Sequence, residues 1–375
     1  MKILLLNTSF YPQIGGVENS LRSISDVLSK EGHSITIISS DSGDHSLPDK
    51  EYLYGATLFR YRHSGFIRGF FNLLKKLKNI RKNDYDIIIS RNMLTTLALI
   101  LLRFKQFHYI VPGIHKYQNN ISNKKNQFRF KLECMIDRFC LTFSPNVYVF
   151  SRNMETQVFN LTKRNDIKNI VPGIDTIRFN PANLIEKNKL RDAYGLPKNK
   201  TIILGLGRFS CVKNYSTLIE CMPHVGNEYI LLLVGDGDEK KNYEVMIEKL
   251  KISNRVFIFN KTLEPEIFYK LSDLFCLSST YEPFGQVLLE AISCNLHLVA
   301  LNNTSPNINT ATNEIFNKYP GLVNYVSENT PRAFAHTINS LKLDNTAAHQ
   351  IERENFLKNH SWLQLINEIR NNSKR

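Results

Sequence analysis

Short runs of β-forming apolar residues alternate with longer amphipathic segments along the chain, and the series occurs twice. In the first half the runs fall at residues 3–6, 34–38, 57–61, 86–89, 107–111 and 147–150. In the second they fall at 201–206, 229–234, 256–259, 273–277 and 296–300. Strand and helix in alternation make parallel, doubly wound sheets, with ligands bound at the carboxyl ends of the strands. Two such series predict an α/β protein of two facing Rossmann-like domains with an interdomain cleft. At 375 residues the chain is too long for one ordinary core and suits two.

The expected division is an N-terminal domain over 1–173 that takes an acceptor, a C-terminal domain over 174–351 that takes a donor, and a final helical segment over 352–375. Residues 175–200 are polar, contain Pro181 and Pro197, and precede a fresh strand, which marks them as the join. The final segment carries Trp362, the single tryptophan, in a helical pattern that is expected to cross back to the first domain.

Composition excludes several classes. A hydrophobic fraction of 42% and a charged fraction of 22%, without repeats, describe a soluble globular chain. The amino-terminal MKILLL has too few consecutive apolar residues for a signal peptide and reads as a first strand. The longest apolar run, 93–102, is about half the roughly 20 residues that a membrane span needs. The six cysteines form no CxxC pair, and Cys276 and Cys294 sit in core-like stretches. A reduced cytoplasmic protein without a zinc site is expected.

Five constellations carry chemistry. In TYEPFGQVLLEA, Glu282 and Glu290 flank a turn that leads from a buried strand into a helix. The first amides of that helix lack intrahelical partners and suit a diphosphate, and Glu290 can accept bonds from ligand hydroxyls. A solvated pair of carboxylates is the plain alternative. After the strand at 201–206, GLGRFSCVKN supplies Arg208 and Lys213, cations placed to neutralise a diphosphate leaving group. In VGDGDEK, Asp236 and Asp238 form a DxD, but a tight turn at Gly235 and Gly237 into a helix capped by Asp238 explains them without a metal. Gly15 and Gly16, in the loop after the first strand, let backbone amides approach a phosphate or sugar, or simply make a turn. His115 follows a strand at the end that faces ligand, where a plain surface histidine is the usual occupant; no HExxH or other metal cluster accompanies it.

In this order, IGGVE, His115, Ser151 in VFSRN, the hinge VPGID, GRF with Lys213, VGDG and EPFGQVLLEA resemble the family 4 glycosyltransferases, enzymes of GT-B architecture. The resemblance covers most of the chain. It implies a retaining, metal-independent hexosyltransferase that moves a sugar from a nucleoside-diphosphate sugar to an acceptor hydroxyl, with no cofactor. Arg208 and Lys213 would bind the donor diphosphate, Glu290 the ribose, and Glu282 with Phe284 and Gly285 the transferred sugar. His115 would lie beside that sugar, and Gly15 and Gly16 near the phosphates. Front-face attack assisted by the leaving phosphate is the commoner mechanism in the family. The expected pathway is bacterial cell-surface polysaccharide or lipopolysaccharide synthesis. Pro172-Gly173 replaces the usual Asn-Gly of the hinge, Asn295 and His297 stand where Gly and Pro are common, and the loop after Ala300 lacks the Gly-Gly of the family. These departures bear on the donor sugar more than on the reaction class.

The net charge of +14 is concentrated. Residues 60–131 hold sixteen Lys or Arg against two acidic residues, Asp84 and Asp86. Such a block attracts a polyanion. Residues 65–83 interleave Phe66, Ile67, Phe70 and Phe71 with cations, and 124–131 form a second basic run. Both suit an anionic membrane and hence a lipid-linked or phosphorylated acceptor at the inner face of the cytoplasmic membrane, whereas the plain reading is a helix with its apolar face on the sheet. Two readings stay beside the transferase: a non-catalytic nucleotide-sugar-binding subunit, and a nucleic-acid-binding protein, which lacks any recognition motif here. An epimerase or phosphorylase would share the fold.

Overall fold

The computed structural model describes residues 1–118, 127–303, 307–344 and 346–373. It divides into two compact units, 1–173 with 361–375, and 174–360.

In unit 1 the strands are β1 (Lys2–Leu6), β2 (Ser34–Ser40), β3 (Lys50–Leu53), β4 (Ala56–Tyr61), β5 (Ile87–Ser90), β6 (His108–Ile110), β7 (Asn146–Val149) and β8 (Lys168–Asn169). They form one sheet in the order β3-β4-β2-β1-β5-β6-β7-β8, parallel except for the β3–β4 pair. The apolar run of β1 explains its central place, since Ile3 is in register with both Ile35 and Ile87. A strand covered on both faces buries alternate residues in opposite layers. Leu4 and Leu6 join the cluster that includes Leu73, Leu99 and Val147, while Ile3 and Leu5 join the one that includes Leu21, Leu28 and Trp362.

The C-terminal helix Trp362–Ser373 belongs to unit 1 and packs beside helix Gly16–Lys30. Its Trp362, Leu365, Ile366 and Ile369 are fully buried. Gly173 makes room for the returning backbone, because a Cβ there would lie 2.1 Å from the Trp362 amide nitrogen. The segment expected as one piece over 352–375 is divided: helix Ala347–Lys358 stays in unit 2, and the chain turns at Asn359–Ser361.

In unit 2 the main sheet contains β9 (Thr201–Leu206), β10 (Tyr229–Val234), β11 (Val256–Phe259), β12 (Leu274–Leu277), β14 (His297–Leu301) and β16 (Val323–Val326). The order is β11-β10-β9-β12-β14-β16, all parallel. A second, two-stranded piece pairs β13 (Tyr281–Glu282) with β15 (Asn309–Thr310), so Glu282 lies on a strand and not in the plain loop that its Pro-Phe-Gly neighbours suggest.

Residues 175–200, expected as a polar join, are part of unit 2 and include helix Leu184–Ala193. Their polarity has a folded purpose. Lys187 and Arg191 reach Asp273 at 2.9 and 2.6 Å, and Arg191 is buried. A buried guanidinium is tolerated when its donors are used, and this one also donates to the Leu271, Lys198 and Lys200 carbonyls.

Candidate active site and family

In unit 2 the loops after β9 and β12 are stitched to one another. Ser278 Oγ donates to the Lys213 carbonyl at 2.7 Å, the Thr280 amide to the Val212 carbonyl at 2.9 Å, and Asn214 Nδ2 to the Ser278 carbonyl at 3.3 Å. Asn214 adopts the left-handed conformation (φ 53°), which asparagine tolerates better than most residues. These bonds bring Lys213 Nζ against Glu282 Oε2, an ion pair whose side chains are 18% and 14% exposed. An ammonium so placed, at the carboxyl ends of two adjacent strands, can meet an anion without first being ordered. Arg208, on the same loop, is exposed and makes no ion pair among the described residues.

Gly207 (φ 152°) carries the β9 loop past Tyr215, Phe209 is fully buried beneath it, and the VGDG turn lies against this backbone. A Cβ at Gly235 would sit 1.9 Å from the Gly207 carbonyl oxygen, and one at Gly237 would sit 2.3 Å from that of Phe209. Close backbone crossing, and not ligand approach, requires these two glycines. The expected cap at Asp238 is corrected. Helix Lys240–Lys249 is flanked by Glu239 and has no side-chain cap bond, because Glu239 instead accepts from Cys211 Sγ at 3.1 Å and from Asn242 at 3.0 Å.

Helix Gln286–Ser293 starts from Gly285 (φ 91°) with no side-chain cap, and Phe284 is buried just before it. A left-handed glycine lets the chain enter the helix abruptly, where a Cβ would meet Glu282 Cγ at 3.2 Å. Glu290, two turns of sequence beyond Glu282, is 4% exposed and accepts the Tyr269 hydroxyl at 2.7 Å. Burial raises its carboxyl to about 7, against the opposing pull of the Tyr269 bond and the Arg178 charge. The two glutamates are therefore held apart by different partners: Lys213 fixes the first and Tyr269 the second.

In unit 1, Gly15 precedes helix Gly16–Lys30, and the space a side chain at Gly16 would take is open. The direction of a Cβ at Gly15 is filled by the Glu18 carboxylate, which accepts from Ser9 Oγ and, at 3.1 Å, from Asn7 Nδ2. His115 opens the short helix His115–Gln118 after β6. Its amide donates to Asp137 at 3.1 Å, and its buried Nδ1 has no protein partner. Burial raises Asp137 to about 6, while the His115 amide and ring favour its charged form. Arg91, directly after β5, is 4% exposed, with Nε and Nη1 unpartnered and its guanidinium 4.9 Å from the Phe150 ring centre. Burial lowers it to about 10, against the attraction of Glu18.

Sequence reasoning missed Tyr269, Asp137 and Arg91. Arg91 had a signal, a charge directly after an apolar run. Tyr269 and Asp137 had none, since each lies on a helix and matters only through a partner more than twenty residues away. Ser151, part of the motif series, caps helix Arg152–Thr162 by accepting the Met154 amide at 3.2 Å.

Residues 14–178 match the family described as "Glycosyltransferase Family 4", and residues 186–359 match "Glycosyl transferases group 1". The amylovoran biosynthesis glycosyltransferase AmsD of Erwinia amylovora is 24% identical over 293 residues, 77% of each chain. Among solved structures, sucrose-phosphate synthase from Thermosynechococcus elongatus superposes with a TM-score of 0.80 at 19% identity, covering 98% of this chain and 97% of that one. Anabaena HepE in complex with UDP and glucose superposes at 0.75 and 17% identity, with 98% of each chain covered. With the sheet topology and the ordered motifs, these matches make the chain a glycosyltransferase of family 4 with the GT-B fold.

Proposed function

We propose that this glycosyltransferase moves a hexose from a nucleoside-diphosphate sugar to a hydroxyl of a glycan or lipid-linked glycan, with retention and without an essential metal, in bacterial surface-polysaccharide or lipopolysaccharide synthesis. The observation that carries the reading is the Lys213–Glu282 pair held at the ends of β9 and β12, next to the uncapped helix after Gly285. Lys213 and Arg208 receive the diphosphate. Glu290 takes the ribose hydroxyls, and its ionised form is the better acceptor. Glu282, Phe284 and Gly285 hold the transferred sugar; in unit 1 the roles assigned are sugar contact for His115 and phosphate contact for the Gly15–Gly16 backbone. As the bond from the anomeric carbon to the phosphate oxygen breaks, negative charge grows on the diphosphate, where Lys213, Arg208 and the first amides of the helix stabilise it. The acceptor oxygen bonds to the same face of that carbon, and its proton passes to the departing phosphate oxygen.

The HepE complex with UDP and glucose supports a nucleotide donor, and the amylovoran relative supports a surface-glycan pathway. Among the described residues no helix is long and apolar enough to cross a membrane. The reading places the enzyme in the cytoplasm, peripheral on the inner face of the membrane. The contact would be made by residues 65–83 and 127–131, whereas 124–126 of the second basic run lie outside the described residues. Helix Phe66–Lys78 buries Leu73 and Leu77 on its inner side, as the plain reading expects, yet leaves Ile67 and Phe71 69% and 64% exposed beside Arg68, Lys75 and Lys78.

Calorimetric titration with UDP, GDP, ADP and CMP, in EDTA and again in magnesium, tests the donor reading. One diphosphate should bind in EDTA, at least tenfold more weakly to Lys213→Ala and Glu290→Ala. Binding of none, or only with magnesium, defeats it. Flotation of the wild type with anionic but not neutral vesicles tests the membrane contact.

A further inference from the structure

A cavity of about 260 Å³ opens within unit 1 at the carboxyl edge of its sheet. Thr8, Tyr61 and Asn92 line it where β1, β4 and β5 end, and His115 does so after β6. Its other side is apolar, formed by Phe66, Phe70 and Leu73 of helix Phe66–Lys78 with Met93 and Leu94 of the next helix, Met93–Leu101. The rim holds His63 and the Arg129–Glu133 pair, whose charges offset one another at 2.9 Å.

The walls are built. The His63 amide donates to the buried Asp41 at 2.7 Å, Asn72 Nδ2 to the Arg62 carbonyl at 2.9 Å, and the Leu94 amide to Asn92 Oδ1 at 2.8 Å. Gly69 costs the helix about 0.5–1 kcal/mol relative to alanine, but it lets the His63 ring approach so closely that a Cβ would lie 3.3 Å from Nδ1.

Sites that enclose a whole drug-sized ligand run to roughly 300–1,000 Å³, so this smaller space takes one segment of a longer molecule. The apolar wall continues onto the outer surface through Phe66, Ile67 and Phe71, in the most basic part of the chain. A hydrocarbon chain attached to an anionic group matches both features, the apolar wall and the surrounding positive charge. Resting on the transferase reading, we infer that this cavity is where the acceptor's acyl or prenyl chain lodges, with its polar end toward Asn92 and His115.

Butyl, hexyl and octyl phosphate, each kept below micelle formation, are titrated into the full chain beside inorganic phosphate. Affinity should rise about fourfold per methylene, the equivalent of ~0.8 kcal/mol, and inorganic phosphate should bind far more weakly. Leu94→Trp, which fills the cavity, should flatten the series; Phe71→Ser, outside it, should not. A wild-type affinity independent of chain length overturns the inference whether or not any variant folds. So does a series that survives Leu94→Trp and vanishes in Phe71→Ser, since that is adsorption to the outer surface. Nucleoside-diphosphate binding by the same samples reports the transferase reading separately. If it fails while the chain-length series holds, the donor assignment falls and the cavity stands.

Discussion

The two units share a parallel-sheet plan, but the polar groups at the ends of their central strands differ. In unit 2, Lys213 pairs with Glu282, Tyr269 with Glu290, and the loops that carry them are bonded to each other. In unit 1, Arg91 keeps two buried nitrogens without partners, His115 keeps one, and a cavity that His115 lines opens in the same unit. Buried polar groups are ordinarily paired, so unpaired ones point to something that arrives later. The contrast is between an ion-paired, loop-stitched cluster in unit 2 and buried nitrogens in unit 1 that the protein itself leaves unpaired.

The largest test asks whether the units are energetically separate. Trp362→Ala removes a fully buried indole from unit 1 and should cost that unit about 3–5 kcal/mol. In calorimetry, its transition should fall while the one that nucleoside diphosphate protects stays in place. A single transition moving as a whole would break the comparison. Next comes Lys213→Ala. Given the proposed role of Lys213 at the departing diphosphate, its loss should lower turnover by about 10²–10³, read as nucleoside-diphosphate release; unchanged turnover would remove Lys213 from the site.

Gly173→Ala forces a carbon against the Trp362 amide and should destabilise unit 1 by about 1–3 kcal/mol, with unit 2 unaffected in denaturant titration. A smaller effect concerns pH. Glu290 binds its proton more tightly when folded, at about 7 against an ordinary value of 4.5. Its contribution to stability is therefore full below about pH 4.5 and is lost as pH rises through 7. Asp137 acts with the same sign but over a lower window, from 3.8 to about 6. Glu290→Gln should flatten the upper part of the stability profile only. It should also abolish the rise in nucleotide affinity that accompanies ionisation near pH 7. The smallest effect is that of Phe71→Ser, a surface change within about 0.5 kcal/mol in stability, which should nonetheless reduce flotation with anionic vesicles.

The sequence makes the central strands legible and the marginal ones illegible, for a physical reason. Strands such as β10, and β1 after Lys2, are continuously apolar because helices cover both faces. The edge strand β3 reads KEYL, while β8, β13 and β15 are two residues long and leave no period to detect. The site divides in the same way. Charged residues at and just after the ends of apolar strands announce themselves, so Arg208, Lys213, Glu282 and Glu290 stand out in the sequence. The groups that position them do not, because Tyr269 and Asp137 look like ordinary helix residues until the fold supplies their partners.

The return of residues 361–373 to the first unit has a consequence for how the protein is made. A ribosome releases the chain from its amino end, and domains tend to fold as they emerge. Unit 2 is continuous and can close as soon as residue 360 is available, whereas the cover over Ile3 and Leu5, begun by Leu21, Ile24 and Leu28, is completed only when residues 362–369 follow. The half translated first is thus finished last. Removal of the segment from Trp362 onward would uncover apolar residues of that sheet's core. Helix Trp362–Ser373 is thus the piece of sequence most distant from the first sheet that its core still requires.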